Sequence, residues 1–148
     1  MFIHFRSIAA ALLIAPALAS AGTPVIEVFK SATCGCCEDW VKHLQANGFT
    51  VKVNNVANPS DYRAKLGIPD ALGSCHSAKI GQYAIEGHVP ASEIKQLMGS
   101  GVKARGLAVP GMPAGSPGME GSRSHPYDVL LVQSDGRTAV YKHYSGKQ

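Results

Sequence analysis

Three of the four cysteines of this chain fall within four residues, Cys34-Gly35-Cys36-Cys37, directly after a short β-branched apolar run. The fourth, Cys75, stands in a Ser74-Cys75-His76 setting. The cluster holds a C-x-x-C pair (Cys34, Cys37), a C-x-C pair (Cys34, Cys36) and a vicinal pair (Cys36, Cys37). Thiols this crowded must share one turn, so the fold has to deliver a strand end and a helix start at that point. Such a turn can bind a soft metal, form a redox-active disulfide, or do both.

The N-terminus bears on which use applies. Arg6 gives a positive start, Ile8 to Leu18 is apolar and uncharged, and Ala17-Leu18-Ala19 offers the small residues of a cleavage site. Residues 1–19 therefore read as a secretory signal, with cleavage after residue 21 the alternative. The apolar run is too short to span a bilayer comfortably, and no later segment approaches one. Removal leaves about 127 to 129 residues, a single domain over residues 22–148. The net charge of +4 falls to +3 with Arg6, and the cations are scattered. That excludes the basic stripe by which proteins neutralise nucleic-acid phosphates.

In an oxidising compartment an even number of cysteines usually signals structural disulfides. Here a Cys36–Cys37 bridge would be strained and a Cys34–Cys36 bridge would close a very small ring. Cys34 and Cys37 have the spacing of a dithiol at a helix start, which is typically reactive.

Val25 to Phe29 reads as a buried strand. Thr33 is placed to cap a helix that runs from the cluster to about Asn47 and stops at Gly48, with Trp40, Val41 and Leu44 on its apolar face. Thr50 to Val56 alternates as a second strand. Asn58-Pro59 starts a second helix that Gly67 ends. Strands are expected at Cys75–Ile80 and Tyr83–His88, and a third helix after Pro90 buries Ile94, Leu97 and Met98. Val129–Gln133 and Thr138–Tyr144 flank Ser134-Asp135-Gly136-Arg137, a hairpin signal. Between them Gly106 to Pro126 carries five glycines and four prolines in twenty-one residues and reads as a long loop without regular structure. The order βαβαββα, then loop and hairpin, with C-x-x-C closing the first strand, predicts a thioredoxin-like α/β fold: a mixed sheet with flanking helices. Ile68-Pro69 is the candidate for a cis-proline of thioredoxin type.

A cysteine at a helix N-terminus faces unpaired N–H groups and the positive end of the helix dipole, which stabilise its thiolate. Thiolate both attacks disulfides and binds metal, so this physics serves either use. The surplus of cysteines favours metal, since a dithiol enzyme needs only two. Soft thiolates select Cu(I); zinc is the weaker candidate, because a structural zinc site draws on two separated ligand pairs. The expected ligands are Cys34, Cys36, Cys37 and Cys75, with His88 at a strand end. His76 is a further candidate, and the mixed set would tolerate Cu(I) and Cu(II). Met112 and Met119 are soft donors on the long loop, although gap-filling against the core is the simpler account of them. The alternative use is a thiol–disulfide oxidoreductase with Cys34 attacking and Cys37 resolving.

Taken together, Cys34-Gly35-Cys36-Cys37, Ser74-Cys75-His76-Ser77-Ala78, Glu86-Gly87-His88-Val89-Pro90-Ala91 and the run from Gly106-Leu107-Ala108 to Gly118-Met119-Glu120 resemble the CopG-type periplasmic copper-resistance family. The likeness extends from about Pro24 to Tyr144, with serine at Ser77 where threonine is expected. It implies a thioredoxin-like fold, copper bound by the C-x-C-C cysteines with Cys75, His88 as an added ligand, and a role in copper tolerance. It also implies redox interconversion of Cu(I) and Cu(II), and other periplasmic copper-handling proteins as partners.

Overall fold

The computed structural model describes residues 24–146; the expected signal segment lies outside the described residues. Seven strands form one mixed sheet in the order β2-β1-β3-β4-β5-β6-β7. They are β1 (Ile26–Lys30), β2 (Val51–Asn55), β3 (His76–Ile80), β4 (Tyr83–Glu86), β5 (Gly106–Ala108), β6 (Tyr127–Val132) and β7 (Thr138–Tyr144). The helices are α1 (Gly35–Ala46), α2 (Pro59–Lys65) and α3 (Ala91–Ser100), with a 3-10 turn at Asp70–Leu72. β1 and β2 run parallel, as the β-α-β order requires, and so do β4 and β5; the other neighbours are antiparallel.

Strand alternation divides the core between the two faces. Ile26, Val28, Ala78, Ile80, Ile85 and Leu107 pack with Trp40, Val41 and Leu44 of α1 and Ile94 and Leu97 of α3. On the opposite face Ala84, Ala108 and Val132 meet Ile68, with Leu66 and Leu72 beside them. The expected apolar faces of α1 and α3 are thus the buried ones.

Three expectations are corrected. The N-cap of α1 is Cys34, which makes no side-chain capping bond; the Thr33 hydroxyl pairs instead with that of Ser31, 3.2 Å away. No peptide bond among the described residues is cis, Ile68–Pro69 included. The stretch from Gly106 is not wholly irregular, because residues 106–108 form β5 and join the two halves of the sheet. Its three residues are too few to show a period. It forms because Leu107 and Ala108 are completely buried, one on each face, and because Gly106 permits close approach. A Cβ there would collide with the carbonyl of Ala84.

The register brings one end of the sheet to a focus. Lys30, the last residue of β1, pairs with His76, the first of β3, and Ser77 pairs with Glu86, the last of β4. β5 also ends there, Ala108 opposite Glu86. Strand exits, one strand entry and the start of α1 therefore share a single edge. Gly106→Val should cost about 2 kcal/mol or more through overpacking and a disturbed β4–β5 pairing. Urea unfolding will show this as a lower midpoint with an unchanged slope.

Candidate metal centre

The cysteines of the cluster occupy the first turn of α1, and Cys75 precedes β3. Cys34 and Cys37 are joined by a disulfide, the pair their spacing singles out, while Cys36 and Cys75 are free. The Cys36 sulfur lies 3.6 Å from that of Cys34 and 3.9 Å from that of Cys75. The sulfurs of Cys37 and Cys75 are 3.5 Å apart. Four sulfurs so close form a donor group that could hold a metal ion.

Cys75 also belongs to a second donor group, with His76 and His88. His88 Nε2 is 3.1 Å from the Cys75 sulfur and His76 Nδ1 is 3.3 Å from it. Both imidazoles are fully buried and meet edge to face at 5.0 Å. The Pro117 carbonyl accepts a hydrogen bond from His88 Nδ1 at 2.8 Å. That bond fixes the tautomer and turns the Nε2 lone pair toward the sulfur, the arrangement typical of a metal-binding histidine. Burial holds both rings neutral: the His76 pKa is pushed down to about 3 and that of His88 is lowered. His76 Nε2, the ring nitrogen other than the one nearest Cys75, is buried without a hydrogen-bond partner among the described residues. Burial, reinforced by the neighbouring Cys36, pushes the Cys75 thiol up to about 12. Metal binding there must displace a proton.

Several residues outside the expected donor set build the walls. The Trp40 ring lies 4.3 Å from that of His76, and its indole N–H donates to the Val89 carbonyl. The Lys30 ammonium is entirely buried beside this edge, with Glu38 Oε1 at 2.5 Å and the Ser31 carbonyl at 3.0 Å. It ties the end of β1 to the first turn of α1 and so closes the loop that carries the cysteines. A lysine after an apolar run looks like a strand terminus; only the later Glu38 hints at a pair. His43 Nε2 accepts the Ala91 N–H at 3.1 Å and steadies the start of α3.

The long loop folds over this edge. Gly118 lies against α1, where a Cβ would stand 2.6 Å from the Cys36 carbonyl oxygen and 2.8 Å from the Trp40 nitrogen. Met119 is half-buried in this segment, whereas Met112 is 51% exposed beyond the tie between the Gly111 N–H and the Gly73 carbonyl. The four cysteines and both histidines are thus brought to one place. The methionines sit on the long loop, Met119 half-buried and Met112 facing solvent.

The family described as "Protein of unknown function, DUF411" matches residues 72–119, which include Cys75, both histidines and both methionines. Among solved structures, "Copper resistance protein copG- Form 2" is 45% identical with a TM-score of 0.79, covering 82% of this chain and 98% of its own. "Copper resistance protein copG- Form 1" is also 45% identical at a TM-score of 0.79, covering 84% and 99%. No curated protein sequence matches the chain.

Removing one member of a buried ion pair is worse than removing the buried charge itself. Glu38→Ala strands the Lys30 ammonium and should cost about 1–3 kcal/mol, less than a fully buried pair because Glu38 is half exposed. Lys30→Met should cost less than Glu38→Ala in the same chemical denaturation experiment.

Proposed function

The chain belongs to the CopG copper-resistance family, and on that premise we propose that it is an exported protein that binds Cu(I) and contributes to copper tolerance. Cys34, Cys36, Cys37 and Cys75 supply thiolates, His88 supplies Nε2, and His76 completes the set. The observation that carries this reading is the membership of Cys75 in both donor groups. A thiolate can bridge two ions, so one shared sulfur suits a site for more than one copper. Thiolates favour Cu(I) over harder ions, and added imidazole nitrogens keep Cu(II) tolerable, which supports redox interconversion of the cargo. Zinc is disfavoured, since the donors crowd one edge instead of forming two separated pairs.

The Cys34–Cys37 bond must open before all four thiolates can bind. Its cleavage by an external dithiol, which becomes a disulfide as it gives up two electrons and two protons, yields two thiols, so the reduced protein is the copper-accepting form. Copper arrives from and passes to other periplasmic copper-handling proteins, with the exposed thioether of Met112 as an outer soft donor and Met119 further in. Residues 1–19 act as the export signal, and no helix among the described residues is long and apolar enough to cross a membrane. The β1-α1-β2 unit with a dithiol at its helix start is read as thioredoxin-like.

The observed disulfide favours one second reading, a thiol–disulfide oxidoreductase. Half-exposed Cys34 would attack and buried Cys37 would resolve. The free sulfurs and neutral imidazoles around Cys75 have no task in that reaction.

Anaerobic Cu(I) titration of the reduced mature protein, with bound ions counted by native mass spectrometry, separates the two. Tight binding of one or more Cu(I) is expected. Cys36→Ser and Cys75→Ser should each weaken it by about tenfold or more, equivalent to about 1.4 kcal/mol, Cys75→Ser the more severely. Binding that survives both substitutions, with turnover of a disulfide substrate that needs Cys34, would transfer the assignment to the oxidoreductase.

A further inference from the structure

A carboxylate behind the sheet has no place in the donor set, yet it touches both flanks of the segment that carries Cys75 and His76. Glu86 is 1% exposed. Its Oε1 accepts the Ser74 N–H at 2.8 Å, and its Oε2 accepts the Ser77 hydroxyl at 2.5 Å. One carboxylate thus spans the Cys75–His76 dipeptide from the residue before it to the residue after it. The backbone extends the span to the third ligand, because the Gly87 N–H donates to the His76 carbonyl at 3.0 Å just before His88. Arg63 of α2 stands on the same side, its Nε 3.7 Å from Glu86 Oε1.

We propose that Glu86 is a positioning residue, a bracket that holds Cys75, His76 and His88 in convergence from the far face of the sheet. Burying a carboxylate is costly unless it is hydrogen-bonded and paired, and for packing alone an apolar side chain would serve as well or better. What a carboxylate adds here is two fixed acceptors at a set separation, and the object they fix is the dipeptide that supplies two donors. His88, two residues further along the same chain, shares that frame. The inference rests on reading these residues as copper ligands, but the geometry it asserts can be read without metal.

The test compares wild type, Glu86→Ala, Glu86→Gln and Ala84→Gly, the last a weakening of the same strand away from the bracket. Imidazole nitrogen signals of the reduced, metal-free proteins are recorded by NMR, and Cu(I) stoichiometry follows by native mass spectrometry. Glu86→Ala should move the His76 and His88 ring signals and lower the bound copper by at least one ion. Glu86→Gln should restore both, since its amide can accept from the Ser74 N–H and donate to the Ser77 hydroxyl oxygen. Ala84→Gly should lower stability and leave the ring signals in place. A folded Glu86→Ala with wild-type ring signals and wild-type copper content overturns the proposal. If Glu86→Ala does not fold, Ser77→Ala removes one arm, and unchanged ring signals there overturn it equally. Should wild type bind no Cu(I), the copper reading fails, while the ring signals still decide the bracket.

Discussion

The Cys75 sulfur stands 3.5 Å from the disulfide-bonded sulfur of Cys37 and 3.1 Å from a neutral imidazole nitrogen, His88 Nε2, and the architecture around it makes that meeting hold. The donors come from separate stretches of chain: the first turn of α1, the residues entering β3, and the residues leaving β4. They converge because β1, β4 and β5 end where β3 begins. A parallel crossover on one side and antiparallel neighbours on the other place those ends on one edge. β5 matters to this although it carries no ligand, since it closes the sheet beside β4 and lets the long loop turn back over the cluster.

Electrostatics at this edge follow from burial. The imidazoles stay neutral because charging them would cost solvation, which leaves their lone pairs free for a soft ion. The Cys75 thiol keeps its proton until a cation displaces it. The buried Lys30 ammonium lies in the neighbouring strand, opposite His76. Glu38 keeps that ammonium paired. On the opposite face the buried Glu86 carboxylate lies 3.7 Å from Nε of the partly buried Arg63. Charges buried on both sides of the sheet thus lie next to the donor edge.

Much of this was legible in the residues because the strongest signals were local. The C-x-C-C spacing, the glycine that ends α1, the Asn58-Pro59 start of α2 and the Asp-Gly hairpin each act within a few positions. Cys75 and His88 were legible as donors from their neighbours, and the structure brings them to the cluster. What escaped was set by tertiary contact. β5 is three residues long and is defined by its partners, which a period-2 reading cannot reveal. The α1 cap moved from Thr33 to Cys34 because Ser31 was the hydroxyl's nearer partner. The burial of Lys30 and Glu86 is not legible in the sequence, since nothing in a strand pattern tells a buried, paired charge from an exposed one. The partner of Glu86 on α2, Arg63, lies 23 positions away in the chain.

In the proposed site one thiolate joins a sulfur cluster to a pair of imidazoles around copper. X-ray absorption at the copper edge of the reduced, Cu(I)-loaded protein addresses it directly. Sulfur neighbours are expected together with the outer-shell scattering of coordinated imidazole, the imidazole signature fading in Cys75→Ser. A purely sulfur shell, a shell without sulfur, or a spectrum indifferent to Cys75 would contradict it.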